Sequence, residues 1–100
     1  MVVEFSEARP WVANSDVIST PLGDEVALLD HRSNTYFTLN ATGAFLWSRL
    51  QQRPCSAMEL GQALADEFNG SQDEMLDDVR TLVAELHTRD LIVPANDDEP

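Results

Sequence analysis

Lysine is absent from the 100 residues, and the six arginines face 18 aspartates and glutamates, a formal net charge of −12. The imbalance deepens along the chain, with twelve of the acids and three of the arginines in residues 51–100. A field of this sign repels phosphate backbones, whose neutralisation by Lys and Arg supplies most nucleic-acid affinity. It also repels anionic membranes. Solubility alone would account for such a surface, and a partner, where there is one, should be neutral or basic. Cysteine is nearly absent too: Cys55 stands alone, so no internal disulfide can form. No apolar run approaches the ~20 residues of a membrane span. The opening MVVEFSEARP lacks the basic region and sustained apolar stretch of a signal peptide, so the expectation is a cytoplasmic protein.

What is present suits one small domain. At 43% hydrophobic content the chain can build a single modest core. Residues 1–13, with Pro10 and mixed polarity, read as an N-terminal arm or a short first strand. The domain proper is expected over 14–93, and 94–100 (PANDDEP) as an acidic, disordered tail. Val17–Thr20 is a strand candidate ended by the turn chemistry of Pro21, Gly23 and Asp24. A second strand follows at Glu25–Leu29. After the polar turn His31–Asn34, where Asn34 tolerates a left-handed backbone, Thr35–Leu39 forms a third, β-branched and aromatic. Alternation sets Phe37 and Leu39 on one face, with Tyr36 and Thr38 on the other. This is a three-stranded antiparallel meander.

The third strand runs into a helix without a loop, because Asn40 is a good N-cap for the apolar segment holding Phe45, Leu46, Trp47 and Leu50. Pro54 stops that helix. Ser56 and Glu59 form a capping box for a second helix, with Leu60, Leu64 and Phe68 as its stripe and Asn69-Gly70 as its stop. Ser71 to Glu74 reads as a second capping box, opening a third helix that reaches about Thr88. Its main stripe is Met75, Val79, Leu82 and Leu86, widened on one side by Leu76 and Val83 with Arg80 and His87 at the border. Leu91-Ile92-Val93 can add a short strand. Three strands followed by three helices make an α+β, winged helix-turn-helix-like layout, which does not by itself determine function.

Catalytic and metal chemistry find no support in these residues. Cys55, His31 and His87 are scattered over different elements without ligand spacing, so no metal site is expected. Cys55 has no base placed beside it, and no glycine-rich phosphate loop occurs. The expectation is a protein that is not an enzyme and needs no cofactor. A winged-helix DNA-binding or transcription-regulatory role is the alternative. Its recognition helix would carry Asp73, Glu74, Asp77, Asp78 and Glu85 against Arg80 and Arg89, the reverse of what phosphates require. Peptide binding by strand addition asks only for an exposed sheet edge beside an apolar groove. Thr35–Leu39 and the wide arc of the third helix are candidates for the two.

Val26–Asp30, then Tyr36-Phe37-Thr38-Leu39-Asn40-Ala41-Thr42-Gly43-Ala44, then Leu46, Trp47 and Leu50 resemble the PqqD-like family, also called RiPP recognition elements. The similarity continues through Asp78-Val79, Leu82–Leu86 and Leu91-Ile92, over roughly residues 16–93. The run from Tyr36 to Ala44 is the specific part. The resemblance implies a non-catalytic protein that binds the leader region of a ribosomally made precursor peptide as an added strand, in the cleft beside the third helix. It would present that leader to a modifying enzyme, a leader peptidase and cyclase in a lasso-peptide pathway or a radical SAM enzyme in a PQQ-type pathway. Carried onto this chain, the strand edge is Thr35, Tyr36, Phe37 and Thr38, and the helix contacts are Leu76, Arg80, Val83 and His87. Periodicity alone equally allows Leu76 and Val83 to be core, where Leu39, Leu46, Leu50, Val79, Leu82 and Leu86 are expected. One departure stands out: Asp90 occupies a position that is often Gly in the family, so the exit of the third helix is expected to differ.

Overall fold

A computed structural model describes residues 9–95 of the chain. The elements run β1 (Pro10–Ala13), β2 (Val17–Leu22), β3 (Glu25–Asp30), β4 (Thr35–Leu39), α1 (Ala41–Gln52), β5 (Cys55–Ser56), α2 (Ala57–Phe68), α3 (Gln72–Thr88) and β6 (Ile92–Pro94). The expected meander is present as β2-β3-β4, antiparallel throughout, with β4 the third of its strands. Three helices follow it, as the winged helix-turn-helix-like layout requires.

A second sheet, in the order β5-β1-β6, was not legible as a unit. Of the segment expected as an arm or a short first strand, Pro10–Ala13 is strand β1, and its Trp11 is only 3% exposed. Trp11 stands opposite Cys55 on one side and Pro94 on the other. Ser56, read as the cap of the second helix, is therefore also part of a strand with Cys55. Pro94 and Ala95, assigned to the acidic tail, sit against β1, where the Ala95 N–H donates to the Pro10 carbonyl at 3.0 Å. The rest of that tail, 96–100, lies outside the described residues, as does 1–8 of the arm.

Capping chemistry explains most of the boundaries. The Gly43 N–H donates to Asn40 Oδ1 at 2.9 Å, so α1 starts one residue after the cap. At α2 the capping box is complete: the Glu59 N–H donates to Ser56 Oγ, and the Ser56 N–H donates to Glu59 Oε1 at 2.8 Å. Asn69 ends α2 in the left-handed region at φ 55°. The second expected capping box does not form, since the Ser71 side chain makes no cap bond. Asp73 and Glu74 in the first turn of α3 still complement the helix dipole there.

Asp90 takes φ 60°, the conformation a glycine would supply. The Leu91 N–H reaches back to the Leu86 carbonyl at 2.9 Å and the Asp90 N–H to that of His87 at 2.9 Å. This double turn closes α3 in the ordinary left-handed manner, so the expected change at the helix exit is absent. Two donors fix the Asp90 carbonyl: Asn14 Nδ2 at 2.8 Å and Arg32 Nη2 at 3.1 Å.

The core lies between the inner face of the meander and the helices. Leu28 of β3, Leu46, Trp47 and Leu50 of α1, Leu60 and Leu64 of α2, and Val79, Val83 and Leu86 of α3 are its largest fully buried members, with Ile92 from β6. Gly61 permits the close approach of α2 and α3, because a Cβ there would meet the Leu76 Cα at 3.3 Å.

Candidate functional site

Among the described residues, strand β4 is hydrogen-bonded on one side only. Its register with β3 runs from Asp30 opposite Thr35 to Val26 opposite Leu39, and its other edge carries no strand among the described residues. An edge strand of this kind presents alternate backbone N–H and C=O groups without partners, a template for a further strand. Phe37 and Leu39 face inward as alternation predicted, half-buried and buried, while Tyr36 is 65% exposed.

A groove of about 430 Å³ lies along this edge. Phe37, Thr38 and Leu39 form one side, and Asp78, Thr81, Leu82 and Glu85 of α3 the other. The start of α1 closes the end, through Asn40, Thr42, Gly43 and Leu46. The loopless junction between β4 and α1 is thus the corner of the groove. A second concavity of about 200 Å³ continues past Phe37, bounded by Asp30, Ser33, Thr35, Arg89 and Leu91. The Arg89 guanidinium lies 4.5 Å from the centre of the Phe37 ring and pairs with Glu85 at 3.4 Å, forming a partition between the two.

The floor of the smaller concavity is electrostatically fixed. Arg32 grips Asp30 through two bonds, Nε to Oδ1 at 2.9 Å and Nη2 to Oδ2 at 2.8 Å, and its backbone N–H adds a third. These bonds outweigh the effect of burial and lower the Asp30 pKa from 3.8 to about 2. The partner carboxylate raises that of Arg32 in turn. Arg32 therefore holds the β3–β4 turn and the α3 exit together.

Thr35, Tyr36, Phe37 and Thr38 lie where the sequence placed them, on the free edge. The helix residues do not. Leu76, Arg80, Val83 and His87 are on the opposite flank of α3 from the groove. Val83 is 1% exposed and part of the core. Leu76 packs on Gly61 of α2. Arg80 pairs with Asp77 at 3.5 Å, and the His87 ring packs against Trp11 at a tilt of 54°, with centroids 4.7 Å apart. At about 100° per residue, these four lie about 40–100° to one side of Val79, whereas Leu82, Asp78, Glu85 and Thr81 lie about 60–160° to the other. Periodicity locates the buried stripe, but either flank can be the open one, and α2 covers the first. Leu82, expected in the core, is half-buried and lines the groove.

Among the described residues the remaining reactive side chains do not converge. Cys55 is buried, which pushes its thiol pKa up and disfavours the thiolate. Among the described residues no three His, Cys, Asp or Glu side chains could share a metal ion, and no helix is long and apolar enough to cross a membrane.

The profile of PqqD, coenzyme PQQ synthesis protein D, matches residues 25–92, which contain the meander's last two strands, all three helices and both walls of the groove. The chain belongs to the PqqD family. Two solved structures share the fold of this PqqD-family chain. TbiB1 in complex with the TbiA(beta) leader peptide is 28% identical, with 86% of this chain and 99% of that one covered at a TM-score of 0.74. Lasso peptide synthetase B1 complexed with the leader peptide is 25% identical, with 84% and 98% covered at 0.72. Among curated proteins none matches the chain significantly. A PqqD-family chain with these neighbours does not favour the DNA-reading alternative, and the acids along α3 agree.

Proposed function

We propose that this protein is a non-catalytic, cytoplasmic recognition element for the leader region of a ribosomally made precursor peptide. The leader adds as a strand to the free edge of β4, with its inward side chains in the groove against α3. It is thereby presented to a modifying enzyme. The B1 proteins among the structural neighbours favour the leader peptidase and cyclase of a lasso-type pathway over a radical SAM enzyme.

The observation that carries this reading is the pairing of an open strand edge with a groove beside it. Strand addition gains main-chain hydrogen bonds from the edge and specificity from alternate side chains in the groove. Hydrogen exchange tests it. With the leader at saturation, amides of Thr35–Leu39 should slow, because outward N–H groups acquire acceptors. Unchanged exchange across this strand would remove the proposal.

A further inference from the structure

The groove contains a carboxylate that has no counter-charge among the described residues. Asp78 stands on the α3 wall without a hydrogen-bond or ion-pair partner among the described residues, whereas Glu85 on the same wall is already paired with Arg89. At the start of α1 the amides of Gly43 and Ala44 are engaged, donating to Asn40 Oδ1 and to the Asn40 carbonyl. Apolar Leu39, Leu46 and Leu82 line the same groove.

In the free protein water solvates Asp78. A strand laid along β4 displaces part of that water, and a carboxylate desolvated without a partner is costly. A Lys or Arg side chain replaces the lost water with a charge-assisted hydrogen bond, and an Asp or Glu adds repulsion. We propose that Asp78 is the specificity-determining residue of the groove. The strand bound on β4 carries Lys or Arg at the position that reaches Asp78, and strands with an acid there are rejected. The same contact fixes register, because a slip of one residue turns the cation to the outer face of the sheet. This inference rests on the peptide-binding reading of the groove.

A phage-displayed library of random 15-residue peptides, selected on the whole protein, is the probe. Selected peptides that protect the amides of Thr35–Leu39 should share one Lys or Arg at a fixed distance from their apolar residues. Changing that residue to Glu should weaken binding about tenfold or more. Selection on Asp78→Lys should invert the preference to Asp or Glu at that position. Asp66→Asn, on α2 outside the groove, should leave it basic. Asp78 is exposed and Lys is a good helix former, so the variant keeps its fold, which circular dichroism checks. Peptides that protect β4 but show no basic preference, or one that Asp78→Lys fails to invert, would overturn selection by Asp78 and leave the groove reading intact. A library yielding no peptide that protects β4 would overturn both.

Discussion

Gly43 rests directly on Leu39. A Cβ placed on the glycine would stand 3.0 Å from the Leu39 Cβ and 3.4 Å from its Cδ2, so the first turn of α1 and the end of β4 touch with no side chain between them. Replacing Gly43 by Ala gains up to about 1 kcal/mol of helix propensity. The overpacked contact costs about 1–3 kcal/mol. The expected net effect is a lower melting temperature together with weaker peptide binding, since Leu39 must move at the groove's corner. Thermal denaturation and a binding titration on Gly43→Ala measure the two.

The two flanks of α3 should respond differently to matched substitutions. Val83→Ser truncates a buried side chain and buries a hydroxyl, which should cost about 2–4 kcal/mol of stability. The folded fraction should still bind peptide normally. Leu82→Ser should cost less stability, because Leu82 is half-buried, yet lower peptide affinity about tenfold or more. His87→Ala should leave affinity unchanged. Affinity loss for Val83→Ser or His87→Ala with none for Leu82→Ser would return the binding face to the other flank.

Asp30 gives the fold an acid-sensitive component. Its carboxyl titrates at about 2 in the fold against an ordinary 3.8, so the unfolded chain binds the proton more readily than the folded one. The stabilisation is complete above the ordinary value and is lost as pH falls through the range from 3.8 to about 2. Asp30→Asn should lower stability at neutral pH and flatten the decline over that acid range. Denaturant midpoints measured across pH for both proteins check the slope.

The left-handed residue at the α3 exit sets a rank order. Asp90→Gly removes the strain of a Cβ at φ 60° but loosens the unfolded chain, for a net gain of about 0.5 kcal/mol or ~2–4 °C in melting temperature. Asp90→Ala keeps the strain and loses the local polar chemistry that lets Asp tolerate it, a loss of about 1 kcal/mol. Melting temperatures should fall in the order Gly, Asp, Ala. The Asn14 and Arg32 bonds survive both changes because they go to the carbonyl.

The meander, the three helices and the β4 edge were legible because each carries local chemistry: turn residues at Gly23 and Asn34, caps at Asn40 and Ser56, a left-handed stop at Asn69. Gly23, Asn34 and Asn69 all take positive φ. The second sheet was not legible, because β1, β5 and β6 have two to four residues each and pair across most of the chain. Nothing local in Cys55-Ser56 announces a partner at Trp11. The groove wall was missed for a different reason. The stripe on α3 is symmetric about Val79 in hydrophobic character, with Leu76 on one side and Leu82 on the other, and only the placement of α2 distinguishes them. Gly61, which lets α2 approach at Leu76, was the available signal.

The division of α3 into a glued flank and an open one also has an evolutionary consequence. Val79, Val83 and Leu86 are held by the requirement to fold, while Asp78, Thr81 and Glu85 are solvent-facing and carry little of the stability. Descendants of this sequence can therefore exchange the residues of the groove's helical wall one at a time, each intermediate remaining folded. Such a wall lets recognition drift quickly with a co-evolving peptide while the scaffold behind it changes slowly.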